Sequence, residues 1–543
     1  MSWAKQITSL IKQTGIRENA IQGDLNRFKH KAEPLFIGLL GVIKRPDNPF
    51  RHENAVVKLL QAALKDKSAF LRDIDITNCK VKCTDWTRIQ SLQEEVEIEL
   101  TEQNDECLYP IPDWVNEDNK PLYRVGMFLR SCLIGHVDWT SLNHLDRSYS
   151  GYRGVKTSFL KRQLGMTHAP TALQGEAAAM TGWLTGLLFH LLQWPGAKTA
   201  NGNYLWPSQW DLTSLKKLID ERIEFQRTCY CELSDMPGYI ERIQLDWDKT
   251  KKTLKVVMVQ SLLPINTDFA SRGFKLETSL YRARHRRHIA AVAELLLHKV
   301  VSQNSIFDEP EKRKSDIDLI VWPELSIHKD DIDILERLSD KTGAIIYAGL
   351  VFLDIPGHPG PINTAIWIVP KKDGDGRQFM FRFQGKQNMM KDEIGHVKSW
   401  RPYQLILELI HPAFPDEPGF MLTGSICYDA TDISLSADLR DKSNAYIVCA
   451  LNKDVNTFDT MIDALHYHMF QPVVLVNTGA YGGSCAKAPY RDPHLRLISH
   501  CHGNNQVSIS TFEMNMFDFR RDSVGKSMQS GNQIKTQPAG VRK

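Results

Sequence analysis

The chain has 543 residues, 42% of them hydrophobic and 24% charged, and a net charge of +3. This is an ordinary globular balance, and the length exceeds a single core, so two or three domains are expected. A charge so near neutral does not itself point to nucleic acid, and local patches must decide. Ten cysteines are present. Cys79 and Cys83 enclose three residues, Cys229 and Cys231 one, and neither spacing gives the paired Cys-x-x-Cys of a structural zinc site. Scattered cysteines suit a reducing compartment. The opening Met1-Ser2-Trp3-Ala4-Lys5-Gln6 shows no apolar signal core, so a cytoplasmic protein is expected.

Residues 1–245 read as a mainly helical region, with a break near 108–121 where Pro110, Pro112 and Pro121 gather. Residues 55–64 have the spacing of an amphipathic helix, after a loop punctuated by Pro46, Asn48 and Pro49. Residues 94–100 alternate apolar and acidic, as an exposed strand or a helix start does. Between 147 and 162, Tyr149 and Tyr152 interleave with Arg147, Arg153, Lys156, Lys161 and Arg162. That mixture suits base stacking with phosphate contact, although a basic surface loop explains it more simply. Residues 177–197 carry no Asp, Glu, Lys or Arg and are long enough to span a membrane. Pro195-Gly196 break the run and His190 lies within it, which favours a buried central helix containing Trp183, Leu187 and Phe189. Residues 206–211 read as a turn, and 212–219 open another helix.

After residue 250 the pattern changes. Residues 254–260 form an apolar strand run. Ile289, Val292, Ala293, Leu296 and Leu297 fall at helical spacing. Arg282, Arg284, Arg286 and Arg287 precede them, a patch that could meet a polyanion but reads more simply as a solvated helix end. Residues 343–353, 365–369, 445–451 and 473–477 read as buried strands, 371–377 as a hairpin turn, 460–470 as a helix and 506–514 as the closing strand. Residues 521–543, rich in Ser, Gly, Gln and Lys without apolar period, are expected to be disordered.

Three strand runs in this half end in reactive groups. Residues 317–322 run apolar into Pro323-Glu324, residues 379–385 alternate into Lys386, and residues 420–426 lead to Cys427-Tyr428-Asp429. Strand ends are where catalytic groups converge in layered α/β folds. The three types suit nucleophilic catalysis. A free thiol, with a pKa of about 8.5, is only slightly ionised at neutral pH. A carboxylate can take its proton during attack. An ammonium can stabilise the oxyanion that follows, a contribution of about 10²–10³ in rate.

The order Trp-Pro-Glu, then Lys, then Ile-Cys-Tyr-Asp resembles the nitrilase, or carbon–nitrogen hydrolase, superfamily. Leu254–Gln260 is similar to that family's first strand, Asn363-Thr364-Ala365 to its central strand, and Asn477-Thr478-Gly479 with Gly483-Ser484 to its late segments. The resemblance covers about residues 250–520. It implies an αββα sandwich, an α/β fold, preceded by the mainly helical N-terminal region. It implies Glu324 as base, Lys386 as oxyanion partner and Cys427 as nucleophile. The strand ends that carry all three predict that they meet in one pocket, with Cys427 between the other two. Glu393, seven residues after Lys386, matches the family's supporting glutamate. A homo-oligomer is implied as well. Two departures leave the substrate open. Gln387-Asn388-Met389 stands where many members have His-Leu after the lysine, and Ala430-Thr431-Asp432 where many have Arg-Phe-Pro.

The function this implies is hydrolysis of a non-peptide amide or nitrile through a thioester, with no metal or organic cofactor required. The alternative is a structural or signalling module in a multi-part bacterial antiviral system, associated with a reverse transcriptase and nucleic acid. No Tyr-x-Asp-Asp polymerase signature is present, so polymerisation would fall to a partner.

Overall fold

In the computed structural model of the chain, the residues described are 212–305, 317–354, 359–373 and 376–541, with two short strands and positions 57, 183 and 187 nearer the N-terminus. The chain divides into two compact units, Met1–Thr228 and Cys229–Lys543.

In the first unit, β1 (Cys79–Lys82) pairs antiparallel with β2 (Glu97–Leu100), so the alternating acidic run ends as a strand. Val57, Trp183 and Leu187 are helical; Val57 and Leu187 are buried and Trp183 is half-buried. The remainder of the apolar segment, Phe189 included, lies outside the described residues, as does the Tyr/Arg stretch at 147–162. Helix α1 (Leu212–Cys229) buries Leu215, Ile219 and Ile223 at four-residue spacing, the stripe of an amphipathic helix. Its Arg222 lies over the rings of Trp183 and Phe225. No helix among the described residues is long and apolar enough to cross a membrane.

The second unit is the α/β body. In chain order it contains β3 (Gly238–Gln244), β4 (Thr253–Gln260), α2 (Asn266–Arg272), α3 (Ser279–Ser305), β5 (Leu319–Ile327), α4 (Ile332–Thr342), β6 (Ile345–Leu353), β7 (Ile362–Asp373) and β8 (Gly376–Gly385). Then come β9 (Gln404–Ile410), β10 (Phe420–Ile426), α5 (Ile433–Arg440), β11 (Ala445–Ala450), α6 (Val455–His468), β12 (Val473–Asn477), β13 (Ser484–Lys487), α7 (Pro493–Arg496), β14 (Leu497–Cys501) and β15 (Ser508–Asn515). The strands form a six-stranded sheet, β15-β4-β5-β6-β7-β8, and a seven-stranded sheet, β14-β13-β12-β11-β10-β9-β3.

Both sheets are mixed, and their central strands are buried on both faces, which is why they read as unbroken apolar runs. On one face of the six-stranded sheet, Ile320, Trp322, Ile346 and Ile368 pack with Ile289, Val292 and Leu296 of α3 and Leu335 and Leu338 of α4. The other face meets the second sheet. Tyr347 and Trp367 stack at 4.2 Å, and Tyr347 Oη donates to the carbonyl of Ser425 on β10. Gly424 makes that approach possible, since a Cβ there would come within 2.9 Å of the Tyr347 ring and 3.1 Å of Trp367. Helix α6 lies on β12 and β13 of the second sheet. The expected layering of sheets and helices is thus observed.

Two boundaries differ from expectation. The body begins at Cys229 rather than 250, because β3 joins the second sheet parallel to β9. Its inward residues are Tyr239, Glu241 and Ile243. The inward glutamate masks the apolar alternation of a strand, and it is balanced by buried Arg382 of β8, whose Nη2 lies 2.6 Å away. The tail is also ordered as far as residue 541. Polar bonds hold it: Ser530 N and Oγ donate to Asp518 at 2.7 and 2.6 Å, Lys535 N to Pro489 O at 2.9 Å, and Arg491 N to Gln533 O at 2.8 Å. Hydropathy does not register a segment fastened in this way.

Candidate active site

Each of the three reactive residues stands where a strand is interrupted. In β5, pairing with β6 is regular to Trp322, then shifts register before Ile327. A bulge of this kind re-aims side chains. Leu325 has φ +55°, and Ser326 Oγ closes the turn onto Pro323 O at 2.8 Å. Gly349 on β6 accommodates it, because a Cβ there would meet the Glu324 Cα at 2.4 Å. Lys386 follows the last residue of β8, its N–H bonded to Asn363 O at 3.1 Å and its carbonyl to Trp400 N at 2.9 Å. Cys427 follows β10 as the first residue of a 3₁₀ turn, Cys427–Thr431, with φ +46°. A non-glycine residue in that region is strained, and the strain turns the thiol out of the sheet.

The side chains converge. Lys386 Nζ donates to Glu324 Oε1 at 2.9 Å and to Glu393 Oε2 at 2.7 Å. Asn363 Nδ2 donates to Glu324 Oε1 and Glu393 Oε1, both at 2.8 Å. Leu451 N donates to Glu324 Oε2 at 2.9 Å, and Met390 N to Glu393 Oε2 at 2.8 Å. The Cys427 thiol lies beside Glu324 and in the field of Lys386. All four predicted residues therefore share one buried cluster. One expectation is corrected: the thiol does not separate base and lysine, because the ammonium touches Glu324 directly and sits between two carboxylates.

Burial, and then the charge of Glu324, push the Cys427 thiol well above its usual range, with Lys386 opposing. Burial works against the Lys386 ammonium, but Glu324, Cys427 and Glu393 outweigh it and hold the amine above a free lysine. The resting site therefore holds a neutral thiol beside a firmly charged ammonium. Such a thiol needs a base at the moment of attack.

A further carboxylate fastens the surrounding loops. Asp429, fully buried, accepts from Gln387 N at 2.9 Å and Asn388 N at 2.7 Å. It thereby stitches the segment after Lys386 to the turn after Cys427. Burial raises its carboxyl, against the pull of Arg401 and the two amides. Arg401 Nη1 lies 3.2 Å from Asp429, and its Nη2 lies 3.8 Å from Asp432, which caps α5. A guanidinium absent from the stretch after Cys427 thus arrives from another loop, but buried beneath the site. Asn363, Asp429 and Arg401 carry no signal of role in the sequence beyond the first two lying in family-like segments. Among the described residues, no group of His, Cys, Asp and Glu could hold a metal ion.

No family model matches the sequence, and no curated protein matches it. Solved structures do. Nit3 of Saccharomyces cerevisiae, described as a member of branch 10 of the nitrilase superfamily, aligns at 13% identity over 49% of this chain and 92% of its own, with TM-score 0.34. A CN-hydrolase superfamily protein from Xanthomonas campestris aligns at 14% identity over 48% and 91%, with TM-score 0.32. An amidase from Nesterenkonia sp. aligns at 12% identity over 49% and 91%, with TM-score 0.32. The nitrilase-superfamily structures among these align over about half of this chain, and residues 229–541 form a two-sheet α/β body.

Proposed function

We propose that the second unit hydrolyses a carbon–nitrogen bond of a non-peptide amide or nitrile by covalent catalysis. The observation that carries this is the buried cluster in which Lys386 bridges Glu324 and Glu393 next to the Cys427 thiol. For an amide, Glu324 takes the Cys427 proton as sulfur attacks the carbonyl carbon. The developing oxyanion faces Lys386, whose charge is held in place by two carboxylates rather than by water. Glu324 then gives its proton to the departing amine, leaving a thioester. Water enters, loses a proton to Glu324 and attacks the thioester, and the C–S bond breaks to release the acid and restore the thiol. Glu393 touches the ammonium and fixes its position.

Incubation with small amides and an ammonia assay tests this, with Cys427→Ala as control. Ammonia release by the wild type and none by the variant is expected. Failure of a cysteine-directed electrophile to label Cys427 would count sharply against it. The alternative, a structural or signalling module associated with a reverse transcriptase and nucleic acid, draws on residues 147–162 and on the apolar segment 177–197, which lie outside the described residues apart from positions 183 and 187.

A further inference from the structure

Asn363 stands at the start of β7, fully buried, and touches every charged member of the cluster. Its backbone carbonyl accepts the N–H of Lys386 at 3.1 Å. Its side chain faces Glu324 Oε1 and Glu393 Oε1, each 2.8 Å from Nδ2. Ionised carboxylates only accept hydrogen bonds, so the amide must turn its NH₂ toward them. Both of its donors are then used on the two acids at once.

Counting acceptor sites separates the two oxygens of Glu324. An ionised carboxylate offers about four sites, two per oxygen. Oε1 receives Asn363 Nδ2 and Lys386 Nζ, whereas among the described residues Oε2 receives the Leu451 N–H alone. The open site is on Oε2. The other titratable groups facing this carboxylate are Lys386 and Glu393 from the segment after β8, Cys427 after β10, and Cys449 of β11.

We propose that Asn363 is a positioning residue: by occupying Glu324 Oε1 and Glu393 Oε1 together, it holds the base so that Oε2 takes the Cys427 proton. One proton moves, the S–H bond breaks, an O–H bond forms on Oε2, and a thiolate is left beside Lys386. Asn363 exchanges nothing. The inference rests on the hydrolase reading only for what the thiolate does next. Loss of the amide frees the Glu324 carboxylate to turn.

The test reads the thiol directly. Alkylation of Cys427 by iodoacetamide is followed by peptide mass in the full chain between pH 5 and pH 9, with thermal melts to confirm folding. Glu324→Gln should slow labelling most, loss of the proton acceptor outweighing the release of the thiol from the carboxylate's charge. Asn363→Leu, close in shape but without donors, should slow labelling about tenfold at neutral pH and displace the pH profile of labelling. Asn363→Ser, which keeps one short donor, should show a smaller effect in both respects, and it is read alone if the leucine variant does not fold. A folded Asn363 variant with the wild-type rate and profile overturns the proposal, as does unchanged labelling in Glu324→Gln. An ammonia assay on the same proteins separates the two claims. Altered labelling without ammonia from the wild type sinks the hydrolase reading and keeps the positioning role, and ammonia release with unaltered labelling does the reverse.

Discussion

Lys386, Glu324 and Glu393 are almost wholly buried, whereas Arg286, Asp333 and Arg337, on α3 and α4 of the same unit, are 42%, 41% and 67% exposed at their side chains. Both are networks of acids and bases joined by short bonds. The second has a buried heart as well: Asp331, wholly inaccessible, takes Arg282 at 2.8 Å and Arg286 at 2.9 Å. There the chain balances charge with charge and lets water screen the rim, and the product is a helix docked on its neighbour. In the first, one ammonium answers two carboxylates and a thiol stands in the same field. Water cannot soften that arrangement, so it costs stability, and in the proposed hydrolysis it is the arrangement that does the chemistry. The four arginines ahead of the α3 stripe thus divide. Arg282 and Arg286 hold α4, while Arg284 and Arg287 are exposed.

The contrast can be broken first at the thiol. Cys427→Ala should remove all hydrolysis and change unfolding free energy by about 1 kcal/mol or less, since only a small void is left. Thermal melts beside an ammonia assay measure both. A variant that loses stability but stays active would make Cys427 a packing residue. Lys386→Met should abolish activity too, but with a cost of about 3–5 kcal/mol, because two buried carboxylates lose their cation. Urea unfolding checks this. A cost near zero would show that water reaches the cluster.

The same contrast explains what could be read in the sequence. Glu324, Lys386 and Cys427 each end an apolar run, so strand pattern and reactive type coincide, and the spacing of Glu393 follows from one loop. Asn363 is different. A lone asparagine opening a strand looks like any polar residue, and its two partners are 39 and 30 positions away. Arg401 acts on Asp429 across a whole strand pair, with nothing local to mark it. Strand β3 escaped because Glu241 faces inward, an orientation that makes sense only with Arg382 opposite. The tail escaped because its bonds are polar. Pattern reports burial of apolar surface, and these features are held by ion pairs and backbone hydrogen bonds between distant segments.

The second network should respond to acid through His285. The ring is fully buried, Nε2 lies 2.9 Å from the carbonyl of Ser326, and Nδ1 lies 3.3 Å from Arg282 Nη1. That arrangement suits the neutral tautomer, donating at Nε2 and accepting at Nδ1. Burial pushes its pKa down from 6.5 to about 4. Between those values the unfolded chain binds the extra proton, so stability falls as pH falls. The contribution is intact above about 6.5 and is lost progressively toward about 4, reaching about 3 kcal/mol at most. Melts at several pH values, with His285→Gln flattening the decline, would sharpen the comparison. An unchanged slope in the variant would place the acid sensitivity elsewhere.

The smallest effect belongs to the rim. Arg337 lies one turn after Asp333 on α4 and bonds to its carboxylate, with two thirds of its side chain in water. Asp333 is held down to about 2, chiefly by Arg286, with burial opposing and Arg337 adding less. Because the acid is itself two-fifths exposed, little of that shift survives as folding stability once screening is allowed for. Arg337→Ala should therefore cost about 0.3–0.5 kcal/mol at low salt, the worth of an i,i+4 helix pair, and less at high salt. Arg286→Ala should cost more, because that guanidinium also serves buried Asp331. Chemical unfolding of both variants at two salt concentrations measures the gradient from rim to heart. If Arg337→Ala proved as costly as Arg286→Ala, or insensitive to salt, then exposure would not be what separates this network from the one around Lys386.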